Sequence, residues 1–120
     1  MKKTDWIIGV FLVSILIAGC VTTGRDMAYS NQGFEELSQG NYKKAEEYLK
    51  KALAINPNNS YAILNMGVVC QNTERPETAR HMYQKVIDLE SKAIAERSNE
   101  GWARGKDLSE IAKKNLETLK

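Results

Sequence analysis

The sequence predicts an all-α fold, and three observations predict it. Apolar residues recur at spacings of three and four through most of the chain, the register of one face of a helix. The composition is rich in Ala, Glu, Lys and Leu, with only two prolines among 120 residues. The chain also matches itself when slid by 34 positions, which aligns Ala28 with Ala62, Asn31 with Asn65, Gly33 with Gly67, Ala45 with Ala79 and Lys51 with Lys85. Conservative pairs extend these identities: Leu49 with Tyr83, Ala52 with Val86, Leu53 with Ile87. Two helix-turn-helix repeats and a C-terminal capping helix follow, behind an apolar leader.

The leader opens with the basic Met1-Lys2-Lys3 and continues as Trp6-Ile7-Ile8-Gly9-Val10-Phe11-Leu12-Val13-Ser14-Ile15-Leu16-Ile17-Ala18. That stretch has the length of a signal-peptide core and falls short of the roughly 20 residues that span a bilayer comfortably. It ends Ile17-Ala18-Gly19-Cys20. Charge, apolar length and the small-small-Cys ending together resemble a bacterial lipoprotein signal peptide, with Ile17 in place of the commoner Leu. The resemblance implies removal of residues 1–19 and a diacylglycerol-modified Cys20 as the first mature residue. It also implies anchoring on the extracytoplasmic side of a bacterial membrane, since each buried CH₂ of an acyl chain contributes about 0.8 kcal/mol. Val21 is not the aspartate that retains lipoproteins of enteric-type bacteria in the inner membrane, so the implied location is the periplasmic face of the outer membrane where there is one. Residues 20–25 read as the lipidated cysteine and a short tether, because Val21-Thr22-Thr23-Gly24-Arg25 has no apolar periodicity.

In the first repeat (26–59), Met27, Tyr29, Gly33, Phe34 and Leu37 mark a helix that Gly40-Asn41 breaks. Tyr42, Ala45, Tyr48, Leu49, Ala52, Leu53 and Ile55 mark the second. Glu46 with Lys50 and Glu47 with Lys51 are i,i+4 pairs of favourable polarity, expected on an exposed face. Asn56-Pro57-Asn58-Asn59 supplies turn chemistry, and Asn59 or Ser60 can cap the next helix. The second repeat (60–93) carries Tyr61, Leu64, Met66, Gly67, Val68 and Cys70, then a break near Asn72-Thr73. Pro76 suits the first turn of its second helix, whose stripe is Ala79, Met82, Tyr83, Val86, Ile87 and Leu89. Without a proline after it, this helix is expected to run through Ile94 toward Arg97.

Residues 94–120 form a linker and the capping helix. Ser98 to Gly105 reads as a loop with two glycines, and Leu108, Ile111, Ala112, Leu116 and Leu119 lie on one side of the helix after it. Two repeats bury little core, so this helix is expected as a lid over the apolar edge of the fourth. Trp102 is expected to pack beneath it.

The repeats resemble the tetratricopeptide repeat over about residues 26–93. Gly33, Ala45, Ala52 and Pro57 match that family's small-residue and proline positions in the first unit, and Gly67, Ala79 and Tyr83 in the second. Leu49 stands for the aromatic of the first unit and Val86 for an alanine of the second. The small residues let paired helices approach closely. The resemblance implies a concave wall of first helices that receives a peptide or partner helix. Here that groove comprises Met27, Asn31, Phe34, Tyr61, Leu64, Asn65 and Val68, with Asn31 and Asn65 able to hydrogen-bond an extended backbone. The family's carboxylate clamp is not implied, because Ser30 and Phe34 stand where Lys and Asn would be needed.

The charge balance excludes other classes. Seventeen basic against 15 acidic side chains give a net charge of +2, too small to imply a nucleic-acid partner. Two cysteines make no disulfide framework, and nothing has zinc-ligand spacing. The single histidine, His81, reads as solvated surface, and Cys70 as a small core residue. No catalytic residue, metal or cofactor is expected beyond the lipid on Cys20. The expected function is a membrane-anchored, protein-binding adaptor of the bacterial cell envelope, accessory to assembly or secretion. The alternatives are a self-associating structural protein and a repeat module on an uncleaved transmembrane anchor.

Overall fold

A computed structural model describes residues 24–98 and 101–119. The leader 1–19, Cys20 and most of the tether lie outside the described residues. Among the described residues five helices form: α1 (24–38), α2 (Tyr42–Ile55), α3 (Ser60–Asn72), α4 (Pro76–Asp88) and α5 (Leu108–Thr118). Gly24 and Arg25, expected in the tether, already belong to α1. Among the described residues no helix is long and apolar enough to cross a membrane.

The turns within the two repeats are copies of each other. After α1, Asn41 N–H donates to Glu36 O at 2.9 Å and Gly40 N–H to Leu37 O at 3.0 Å. This pattern closes a helix through a left-handed residue, and Gly40 supplies it at φ +78°. Thirty-four residues later Arg75 N–H donates to Cys70 O at 2.9 Å, with Glu74 in the left-handed conformation at φ 59°. Pro76 then opens α4 at its first position, and the Asn59 side chain caps α3 by accepting from Ala62 N–H at 3.0 Å.

Helix pairing repeats with the same period. A methyl group at position 33 would stand 2.7 Å from Leu49 Cγ and Cδ2; at position 67, 2.5 Å from Tyr83 Cε1. Each first helix therefore touches its partner where only hydrogen fits, and both opposing side chains are fully buried. Ala45 and Ala79 are equally buried at matching positions. Helix α3 is the centre of the core, with Ala62, Ile63, Leu64, Met66, Gly67, Val69 and Cys70 all buried. A helix apolar nearly all round must be enclosed, and α2, α4 and α5 all pack against it.

Two polar clusters join the repeats. The Arg75 guanidinium forks onto the Glu46 carboxylate at 2.8 and 3.2 Å and also donates to Thr73 Oγ1. Glu46 does pair with Lys50, at 3.5 Å, but its stronger partner comes from the next repeat, so it sits at the repeat junction rather than on an open face. Lys51 lies 5.6 and 5.5 Å over the stacked Tyr29 and Tyr48 rings instead of pairing with Glu47. The buried Asp26 accepts from the side-chain amides of Asn56 and Asn59 at 3.1 and 3.0 Å, tying the start of α1 to the inter-repeat turn.

The fourth helix does not reach Arg97. It stops at Asp88, and Glu90 takes a left-handed φ of 49°. The backbone beyond it is committed elsewhere. Leu108 N–H donates to Ala93 O, Ala95 N–H to Lys106 O and Gly105 N–H to Ala95 O, around an antiparallel bridge between Ile94 and Asp107. Continued helix would forfeit these bonds. Asp107 then caps α5 by accepting from Glu110 N–H at 2.8 Å. Helix α5 covers α4 and also meets α3, burying Leu108, Ser109, Ile111 and Ala112, as a lid should.

Candidate functional site

A groove of about 440 Å³ runs along the first helices of the repeats. All seven residues expected to form it line it: Met27, Asn31 and Phe34 from α1, and Tyr61, Leu64, Asn65 and Val68 from α3. The 34-residue period explains why they converge. Positions 27 and 61, 31 and 65, and 34 and 68 are repeat equivalents, so parallel first helices present them side by side. Leu64, 6% exposed, doubles as core, whereas Met27, 38% exposed, stands at the rim. Phe34, Tyr61, Asn65 and Val68 are half-buried, and Asn31 is exposed.

Sequence reasoning missed the third wall. Ala95 to Ser98, Trp102, Ala103, and Leu108, Ile111 and Asn115 of α5 close the side away from α1. Helix α5 therefore bounds the groove rather than filling it. The i, i+3, i+7 spacing of Leu108, Ile111 and Asn115 was the available signal, since Asn115 continues an apolar stripe with an amide. Trp102 is half-buried against the core, with Lys114 Nζ 4.5 Å over its ring.

The groove is neutral through most of its length. Asn31, Asn65 and Asn115 place one side-chain amide on each of α1, α3 and α5. None of the three has an intramolecular side-chain hydrogen bond among the described residues. Asn72 differs, since its amide donates to Val68 O at 2.8 Å. Each free amide offers two donors and an acceptor, which matches an extended backbone better than a charged ligand. Tyr61 Oη is committed, donating to Ile94 O at 3.0 Å. Among the described residues that line it, only Glu96 and Arg97 carry charge.

Reactive groups lie elsewhere. Cys70 is 1% exposed, and burial pushes its thiol up from the ordinary value, which suits packing rather than nucleophilic attack. Glu46 is held below the ordinary carboxylate value, chiefly by the Arg75 hydrogen bonds, with burial opposing them. His81 is exposed on α4, away from the groove. Among the described residues no group of three His, Cys, Asp or Glu side chains could hold a metal ion.

Comparison with known proteins agrees with this geometry. Tetratricopeptide-repeat family models match residues 27–59 and 48–81. The type IV pilus assembly protein PilF of Pseudomonas aeruginosa is 32% identical over 105 aligned positions, taking in 77% of this chain and 42% of that protein. The chain thus spans less than half the length of that relative. The fold is therefore all-α with tetratricopeptide-type helix pairs, matched over α1–α2 and, in an overlapping stretch, from α2 into α4.

Proposed function

We propose that this chain is a non-catalytic adaptor that takes an extended peptide segment of an envelope partner into the α1–α3–α5 groove. The observation that carries this reading is the set of three uncommitted amides, one per wall helix, set among apolar residues. Extended backbone needs hydrogen-bond partners when it leaves water, and side-chain amides at successive helices provide them. The likeness to a pilus assembly protein supports a partner from a pilus or related secretion assembly.

In this reading Cys20 carries diacylglycerol and holds the domain on the extracytoplasmic side of the membrane, the outer membrane's periplasmic face in a cell that has one. The lipid raises the local concentration of adaptor beside membrane-embedded partners without adding any contact to the groove.

The test is photo-crosslinking in intact cells from a benzophenone side chain at Asn65, compared with one at exposed His81. A partner captured from position 65 and not 81, and reduced in a Cys20→Ala background, supports both parts. Equal capture from the two positions would sink the groove assignment. A product of two copies of this chain would make the protein self-associating instead. Mass spectrometry of the N-terminal region decides the anchor, since an intact Met1 refutes removal of the leader and an unmodified Cys20 thiol refutes lipidation.

A further inference from the structure

We propose that residues 93–98 form a strap across the groove, latched to α1 by Arg97, and that this latch opens to admit an occupant. The inference rests on the groove being the binding site. The strap's root is fixed by Ala93 O, by both backbone groups of Ala95 and by the Tyr61 bond to Ile94 O. Ala95 itself is 7% exposed, so the root belongs to the core.

Beyond the root the chain crosses to the opposite wall. The Arg97 guanidinium lies 4.8 Å from the centroid of the Phe34 ring, and its Nη1 pairs with Glu35 Oε1, from a residue 62 positions earlier. Arg97 and Phe34 both line the groove, whereas Glu35 stands outside it. One side chain therefore bridges the two walls.

The latch is weak by construction. Both ends of the ion pair are about half exposed, at 51% and 54% of side-chain area. Exposed ion pairs and exposed cation–π contacts each shift an equilibrium by about two- to fivefold, so together they favour the closed state by roughly 4- to 25-fold. An occupant meets that factor on entry, and an acidic group on it would recover part by taking over Arg97. The contact works as a reversible gate rather than a structural strut, because the core beneath it is complete without it.

The test uses the full chain with Trp6→Phe, which leaves Trp102 as its one tryptophan. Trypsin cleaves after Arg97 only when the latch is open, while the exposed Arg104 in the same connection serves as internal reference. When opening is fast, cleavage follows the open population. Glu35→Gln keeps the cleavage site and removes its ion partner. It should raise cleavage at 97 relative to 104 by about two- to fivefold, as should about 1 M salt on the unmodified sequence. Arg97→Gln should raise acrylamide quenching of Trp102 by releasing the strap from α1. Cleavage at 97 indifferent to both Glu35→Gln and salt would overturn the latch while leaving the groove reading intact. A latch that responds without any change in Trp102 quenching would overturn the gate. Neither readout needs an occupant, so a failed crosslink at Asn65 is a separate result.

Discussion

Replacing Gly67 with alanine puts two effects of known sign against each other. Alanine in a helix interior is worth about 1 kcal/mol more than glycine. Against that, the new methyl would lie 2.5 Å from Tyr83 Cε1, 2.8 Å from Cδ1 and 3.1 Å from Cζ. Carbon atoms rest at about 3.5–4.0 Å, so the ring must retreat by about 1 Å. It has no slack for this: Tyr83 is fully buried and its hydroxyl donates to Gln71 Oε1 at 2.7 Å. Overpacking costs about 1–3 kcal/mol, and contact with a fixed ring rather than a chain tip places this case near the top. The net is a destabilisation of about 2 kcal/mol, or roughly 10 °C in Tm for a domain of this size. Thermal melting followed by circular dichroism reads it directly. In a Tyr83→Val background, where the three clashing atoms are gone, Gly67→Ala should instead be neutral or stabilising by up to about 1 kcal/mol. Gly24→Ala has nothing within 4 Å and should change stability by less than about 0.5 kcal/mol. A Gly67→Ala protein melting at or above the original, with Tyr83 in place, would refute the close-packing argument.

Other outcomes follow from the same structure. Glu74→Gly relieves a left-handed glutamate where the first repeat has Gly40, and should stabilise by about 0.5–1 kcal/mol in urea unfolding. Leu108→Ala removes a side chain, 1% exposed, from the buried face of the lid and should cost about 2–4 kcal/mol by the same assay. Because Arg75 lowers the pKa of Glu46, their pairing stabilises the fold above the ordinary value of 4.5 and is lost as pH falls through the lowered one. Glu46→Gln should therefore melt lower at about pH 7 and lose less than the original between about pH 4.5 and pH 3. The Cys70 thiol should resist a neutral disulfide reagent in the folded protein and react at once in denaturant.

Much of this was legible because the code involved is local and repeated. The apolar stripes marked every helix, and Gly33 and Gly67 announced a close approach of paired helices, whose partners Leu49 and Tyr83 only the structure names. The groove residues of α1 and α3 came from the resemblance to the tetratricopeptide repeat, which implies a wall of first helices. What failed to show were contacts between residues far apart in the chain with no repeat to announce them. Glu46 has a plausible neighbour in Lys50, and nothing local says that Arg75 will take its carboxylate. The end of α4 was misjudged because Ser91 to Arg97 has no helix breaker. Its backbone is drawn off by partners at 105–108 that no periodicity reveals. The third wall, Arg97 above all, was hidden for that reason.

Helix α5 also limits how this array can grow. Its outward face carries Glu110, Lys113, Lys114 and Glu117, all exposed. Stacking another helix pair there would strip water from four charges, at a cost that ordinary side-chain packing does not recover. That edge of the fold is therefore built to face water.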